Sequence, residues 1–455
     1  MQKDSNLFRR LLNRQTRKPV RRFMMMMKLP ALAALALAIQ AAALQAIPQT
    51  FGFGGGGFFG MNERDAKWQP PGNIEDLDPV IIAAARWDQL PGEWITQAGL
   101  STEPVKVLST PASVFGQVPE IVAARYDGSK VSSIYMQFID SGSYFGYTPR
   151  QELDSGKTNE NLQSKQQRFK RQYREIASAL AKQLPKQVGT RGKRNEVGRT
   201  EVLRSEYIDF DNGEVVVRLG ANENEYIYIE VMRSSDAEHG YMDSEVASMR
   251  RNERVKAMRS KVERRANGDV VVGEIPIFTQ GSRPYCAIST LGMVTHHFGL
   301  RIPVNGLAAS AGIKKTGSAK GSKILETYYA AAQEADIKFM RASKFEFDRA
   351  TMALDHGYPV LIWRRYDAAR DKLHTKFAEN FAKNPSSQLP AADDSEEMES
   401  WPDDSAPGHA SIVTGYNAER GEVIFLESWG EHTRDRRMRK EELEATGYMV
   451  FYFKL

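Results

Sequence analysis

The chain has 455 residues, 41% hydrophobic and 26% charged, with a single cysteine and a formal charge of +5. That length exceeds one ordinary domain, and the apolar fraction is enough to build cores, so wholesale disorder is excluded. One cysteine excludes a disulfide framework and any metal site of clustered cysteines.

The basic balance sits at the start of the chain. Residues 1–28 hold nine cations (Lys3, Arg9, Arg10, Arg14, Arg17, Lys18, Arg21, Arg22 and Lys28) against Asp4, a net of +8, which leaves −3 for the rest. Leu29 to Ala46 carries no charge. A basic head, an alanine/leucine-rich run and small residues at Ala41–Ala43 and Ala46 predict a signal peptide over 1–46, and Met24–Met27 offers an internal start. An uncleaved anchor is the alternative: the run is long enough to cross a bilayer thinly, but Gln40 and Gln45 interrupt it and no stop-transfer cluster follows. Either reading places the body in the periplasm or outside the cell, with membrane contact only through the leader. The body is mildly acidic, so no nucleic-acid partner is expected.

Residues 47–79 read as a Gly/Pro-rich flexible spacer around Phe51–Gly60. Residues 80–234 predict an α+β domain of unassigned role. Its signals are a hairpin (Ile121–Tyr126, Val131–Ile139) and a helix with Leu162, Phe169, Tyr173, Ile176, Ala177, Leu180 and Leu184 on one face. Strands at Glu201–Phe210 and Glu214–Leu219 follow, joined at Asp211-Asn212-Gly213, and then one at Tyr226–Val231. Residues 235–268 predict a charged connecting helix, with eight Lys/Arg and three Glu over Ser244–Arg265. It reads as a solvated element rather than a dock for an acidic partner.

The chemistry falls in residues 269–455. A strand over Val270–Phe278 leads to Thr279-Gln280 and a loop with Gly281 and Pro284. Cys286 then opens a helix that buries Ile288, Leu291, Val294 and Phe298 and ends at Gly299. A helix N-terminus stabilises a thiolate, which is the nucleophilic form. The Gln280 side-chain amide and the Cys286 N–H can hold an oxyanion. A strand begins at His409, turns at Asn417–Gly421 and returns over Glu422–Leu426 to Glu427-Ser428-Trp429-Gly430. The open ends of an antiparallel hairpin are neighbours, so His409 and Glu427 can face each other, base and orienting carboxylate.

Gln280-x5-Cys286, the histidine-led strand and Glu427-Ser-Trp-Gly430 together resemble the papain-like cysteine peptidase superfamily. The helix Cys286-Ala-Ile-Ser-Thr-Leu-Gly-Met-Val-Thr-His-His-Phe-Gly299 is most similar to its bacteriocin-processing, double-glycine-leader group. The resemblance covers Asp269–Leu455. It implies an α+β fold whose helical half carries Cys286 and whose antiparallel half carries His409. It also implies a peptide or protein substrate and no cofactor or metal. The chain departs from papain relatives at Ala287-Ile288 after the cysteine, and at Glu427 where Asn or Asp is usual. The same residues would equally serve an acyltransferase, a transglutaminase-like enzyme or a cell-wall amidase, or persist in a degenerate binding protein.

Other features are read as structural. Of His296 and His297, one is expected packed and one exposed. His239, His356, His374 and His432 are expected at the surface or in turns. Ser322 is expected to cap a helix over Lys323–Ala335 after a glycine loop that does not fit a phosphate-binding spacing. Arg364–Ala406, with Asp393, Asp394, Glu396, Glu397, Glu399, Asp403 and Asp404, reads as a solvated acidic insertion before His409, placed to act as a lid favouring basic substrates.

Overall fold

Two stretches of alternating and then continuous apolar residues dictate two antiparallel sheets. The computed structural model describes residues 94–96, 105–108, 114–127, 130–145, 162–223, 225–237, 240–273, 275–278, 280, 285–313 and 321–455. The leader over 1–46, the spacer over 47–79, His239 and the loop before Gly321 lie outside them.

The first sheet comprises β1 (Trp94–Thr96), β2 (Val105–Leu108), β3 (Ile121–Asp127), β4 (Lys130–Asp140), β5 (Lys193–Val197), β6 (Ser205–Asp211), β7 (Val215–Asn222) and β8 (Tyr226–Arg233), in the order β1-β2-β3-β4-β8-β7-β6-β5. Both expected hairpins are present. At the second, Asn212 Oδ1 accepts from the Glu214 and Val215 N–H groups at 3.0 and 2.9 Å, and Gly213 takes φ +91°. The Leu162–Val188 helix lays its predicted stripe on the sheet, with Phe169, Leu180 and Leu184 fully buried. β5 was not expected. Lys-Arg-Asn-Glu-Val lacks strand composition, but it is an edge strand whose charges face solvent.

The charged connecting segment is not one helix. Asp243 caps a short helix, Ser244–Ser248, by accepting from the Glu245 and Val246 N–H groups. Arg250 is extended, and a second helix runs Arg251–Ser260. The chain then enters a strand, because alternating Val262, Glu263 and Arg264 suit a sheet edge. This is β9 (Val262–Arg264), which pairs with β10 (Asp269–Val272).

The second sheet continues with β11 (Lys338–Ala342), β12 (Val360–Arg365), β13 (Gly408–Asn417), β14 (Glu422–Leu426), β15 (Arg436–Arg439) and β16 (Gly447–Lys454). Its order is β11-β16-β12-β13-β10-β9, with β14 pairing β13 and β15. β10 stops at Val272, short of the expected Phe278. Ile275, Ile277 and Phe278 are buried outside the ladder. The helices Cys286–His297, Gly321–Glu334 and Phe347–Leu354 pack against this sheet's strands. The Gly321–Glu334 helix starts before Ser322, so Ser322 is a first-turn residue and not its cap.

In the insertion over Arg364–Ala406 the acidic stretch is solvated as expected, with Asp393, Asp394, Glu396, Glu399, Asp403 and Asp404 exposed, but the segment as a whole is not a loop. It contains helices Ala368–Lys383 and Ser395–Glu399, and arginines staple it down. Arg439 donates to the Leu389 and Pro390 carbonyls at 2.8 and 2.7 Å, and Arg370 Nη1 donates to Ser400 Oγ at 3.0 Å. His374, expected at the surface, is fully buried there, with Nε2 2.8 Å from Glu442 Oε1. An amphipathic-looking Lys/His/Glu helix conceals this because its burial depends on acids and bases distant in sequence.

One core runs through both sheets. Tyr207, Tyr226 and Tyr228 of the first belong to the same buried cluster as Tyr285 and Ile288 beside the cysteine. The connecting segment is locked to this body at Gly357, which has φ +78° and would place a Cβ 2.0 Å from the Met258 carbonyl oxygen. We expect Gly357→Ala to destabilise by at least about 2 kcal/mol, from the left-handed backbone penalty and the displaced Met258 backbone. A lowered urea midpoint checks this; an unchanged one would show that the 258 segment is not packed as described.

Candidate active site

The cysteine helix begins where the sequence places it. Tyr285 is the N-cap and Cys286 the first helical residue; Gly299, at φ +86°, follows the C-cap Phe298. Ile288, Leu291, Val294 and Phe298 are buried as expected. Of the two histidines at its end, His297 is buried against the Gly357 carbonyl at 2.9 Å, while His296 is half-buried. The first turn is pinned: Thr290 Oγ1 donates to the Cys286 carbonyl at 2.8 Å and Tyr328 Oη to the Ala287 carbonyl at 2.6 Å. Trp363 Nε1 in turn donates to Tyr328 Oη at 3.2 Å. Cys286 itself stays partly exposed.

The histidine comes from β13. Ile412 pairs with Leu426 of β14, and continuing that register sets Ser411 opposite Glu427 and His409 opposite Trp429. Residues two apart share a face, so all four side chains meet. His409 Nε2 lies 2.8 Å from Glu427 Oε2, leaving Nδ1 for its hydrogen bond with Cys286. The Trp429 ring stacks on the imidazole, centroids 4.4 Å apart at 20°, and Tyr366 meets it at 5.5 Å. Ser411 Oγ donates to Glu427 Oε1 at 2.7 Å.

The electrostatics follow from these contacts. Burial pushes the Cys286 thiol up. The hydrogen bond and charge of His409, with the backbone N–H groups of Ala410 and Ala287, outweigh it and hold the thiol below its ordinary value. Burial disfavours a charged His409, but the Glu427 charge and the hydrogen bonds to Cys286 and Glu427 push it up to about 9. Burial also disfavours a charged Glu427. The charges of His409 and Arg364 prevail and hold it at about 2. The same contacts thus favour the imidazolium at His409 and the carboxylate at Glu427, and they favour the Cys286 thiolate relative to an ordinary thiol.

Gln280 docks beside the same strand end. Its N–H donates to the Ser428 carbonyl at 2.8 Å, and Ser428 Oγ donates to its Oε1 at 2.5 Å. Cys286, His409 and Glu427 are thus brought into one hydrogen-bonded row, and Gln280 is anchored next to its last member.

Sequence reasoning missed Arg364, Ser411 and Ser428. Arg364 Nη2 donates to Glu427 Oε1 at 2.7 Å from the end of buried β12. A charged pair closing the apolar run Val-Leu-Ile-Trp-Arg-Arg was the available signal. Ser411 could have been found from its two-residue spacing to His409. Ser428 has no signal beyond its place between Glu427 and Trp429.

Residues 272–451 match the Peptidase_C39 like family. The C39-like domain is similar to a solved protein of Bacillus anthracis described as a C39-like peptidase, at 13% identity over 41% of this chain and 98% of that one, with a TM-score of 0.28. It is also similar to the peptidase domain of Streptococcus ComA, described as a bi-functional ABC transporter involved in a quorum-sensing pathway. There the identity is 14% over 38% of this chain and 91% of that one, with a TM-score of 0.23. No curated protein matches the chain. The match over residues 272–451 bears out the C39-like resemblance, and the helices and antiparallel strands described above bear out the α+β reading.

The first sheet reaches this C39-like domain at the residue preceding the cysteine. A Cβ on Gly142, in the Ser141–Phe145 helix, would sit 2.2 Å from Tyr285 Oη, and Tyr285 is buried. Gly142→Ala is expected to cost about 1–3 kcal/mol through overpacking and to slow alkylation of Cys286 by displacing its N-cap. Urea denaturation and thiol labelling measure both. Unchanged labelling with full stability would contradict the contact.

Proposed function

We propose that the protein is an exported cysteine peptidase that hydrolyses peptide bonds through Cys286, His409, Glu427 and Gln280. The observation that carries this reading is the position of His409, hydrogen-bonded to Cys286 on one side and to Glu427 on the other. Export rests on the leader over residues 1–46.

In the proposed cycle the Cys286 thiolate attacks the carbonyl carbon of a peptide or protein substrate and forms an S–C bond. Negative charge moves to the carbonyl oxygen, where the Cys286 N–H and the Gln280 amide donate to it. Collapse breaks the C–N bond, and His409 gives its proton to the departing amine. His409 then takes a proton from the water that attacks the thioester, and the free acid and the thiolate are released. Glu427 stabilises the imidazolium and fixes the ring by accepting from Nε2. Trp429 stacked on the ring supports that orientation.

The sign of the pH dependence follows from the proton on His409. Its elevated value means that the imidazolium, and with it leaving-group protonation, is lost as pH rises through about 9. The acid limb reports ionisation of a thiol held below its ordinary range. We expect a bell-shaped profile falling above pH 9. Cys286→Ala should lower peptide hydrolysis by more than about 10³-fold. His409→Ala should slow iodoacetamide labelling at pH 6 by at least about tenfold, because an unassisted thiol is almost wholly protonated there. Full activity of the Cys286→Ala variant would refute the assignment. Products carrying an added amine instead of a free acid would move the reading to acyl transfer.

A further inference from the structure

Behind the Cys286–His409 pair lies a buried ionic frame that the proposed cycle does not use directly. Arg364 is the cross-strand partner of His409 in the β12–β13 ladder. Its Nε donates to Ser411 Oγ at 2.9 Å, and its Nη2 is 2.7 Å from Glu427 Oε1 and 3.5 Å from Asp371 Oδ1. Asp371 comes from the Ala368–Lys383 helix and also accepts from Arg436 Nη1 at 2.8 Å. Arg436 in turn stands 5.3 Å from the centre of the Trp429 ring that covers His409. Arg364, Asp371, Glu427 and Arg436 are each at most 2% exposed. Two acids and two bases thus balance before the thiolate and imidazolium are added.

We infer that Arg364 and Asp371 are positioning residues of opposite sign that hold Glu427 in place and together set the pH range over which the Cys286–His409 pair stays charged. The inference rests on the proposed triad. Its physical basis is that buried charges at these separations interact by a kcal/mol or more, even at an effective dielectric of about 20. Arg364 favours the thiolate and opposes the imidazolium. Asp371 does the reverse. Removing either leaves the frame with a net charge of one sign, and both ionisations of the pair must then move in the same direction.

The remaining ionisable groups facing the pair do not supply this charge. Tyr366 is pushed up to about 12 by burial and then by Asp371 and Glu427, and burial also raises Tyr448, so both stay neutral. Arg365 lies over the Tyr448 ring at 4.9 Å. Farther back, Glu442 is already paired with Arg370 and His374.

The single cysteine makes the test clean, because iodoacetamide has one thiol to report on. The rate of Cys286 alkylation is measured from pH 4 to 10 in the wild-type protein, Arg364→Gln, Asp371→Asn and the double variant. Arg364→Gln should move the lower inflection up by about 0.5–1.5 pH units and Asp371→Asn should move it down by a similar amount. The double variant should return towards wild type. A merely structural role would lower stability in both single variants without opposite shifts. Shifts in one direction, or none, would overturn the inference. A wild-type protein with no inflection below pH 8 would instead overturn the catalytic reading on which it rests. If Arg364→Gln does not fold, the isosteric Asp371→Asn decides: no downward shift refutes the assignment.

Discussion

The ionised carboxylate of Glu427, buried at the end of β14, constrains most of what surrounds it. An isolated carboxylate in such a position would take up a proton or unfold its site. Here Oε2 faces His409 while Oε1 accepts from both Arg364 and Ser411. Three partners on the two adjacent strands β12 and β13 can meet that demand only if those strands and β14 keep their register. A slip of one residue would turn His409 and Ser411 to the opposite face. The extra methylene of glutamate, relative to the Asp or Asn of papain relatives, lets one oxygen reach the arginine and the other the imidazole. Glu427 is therefore a coherent member of this site rather than an imperfect copy of a shorter residue.

That requirement spreads outward. Arg364 brings its own charge, so a second acid, Asp371, and a second base, Arg436, accompany it. Asp371 lies on the helix inserted between β12 and β13, which gives the insertion a structural reason to be packed and stapled. The first sheet is bound into the same body from the other side. Its tyrosines share the core of the cysteine helix, and Gly142 yields the space that Tyr285 fills. The start of the Cys286 helix is thus held by the β half through Trp363 and Tyr328 and by the N-terminal sheet through Tyr285.

Local signals made the cysteine helix, the β13–β14 hairpin and the first sheet's hairpins legible in the sequence. A cysteine after a proline-containing loop, a histidine opening an apolar strand and an Asp-Asn-Gly turn each act within a few residues. His409, Glu427 and Cys286 were readable because hairpin geometry ties two of them together and helix position marks the third. The buried ionic frame was not readable. Asp371 and His374 sit in a segment with the composition of a solvated helix, and they are buried only because Arg364, Arg436 and Glu442 arrive from elsewhere in the fold. The connecting segment failed in the same way. Its charge density suggested a free helix, yet Val262 to Arg264 complete the edge of the second sheet.

Buried ion pairs are weak evidence for stability, since well-packed apolar residues of equal volume frequently do as well or better. Their retention behind His409 therefore calls for a reason other than holding the fold. A thiolate–imidazolium pair is itself a dipole taken out of water, and it persists only where surrounding charges are fixed before it forms. An apolar replacement of the frame would leave Glu427 without its arginine. Its carboxylate would then be easier to protonate, and the imidazolium would lose its counter-charge at acidic pH. The frame thus keeps the carboxylate ionised while its other oxygen helps orient His409 beside the stacked Trp429 ring. That division explains why one oxygen of Glu427 serves the histidine alone and the other is given over to Arg364 and Ser411.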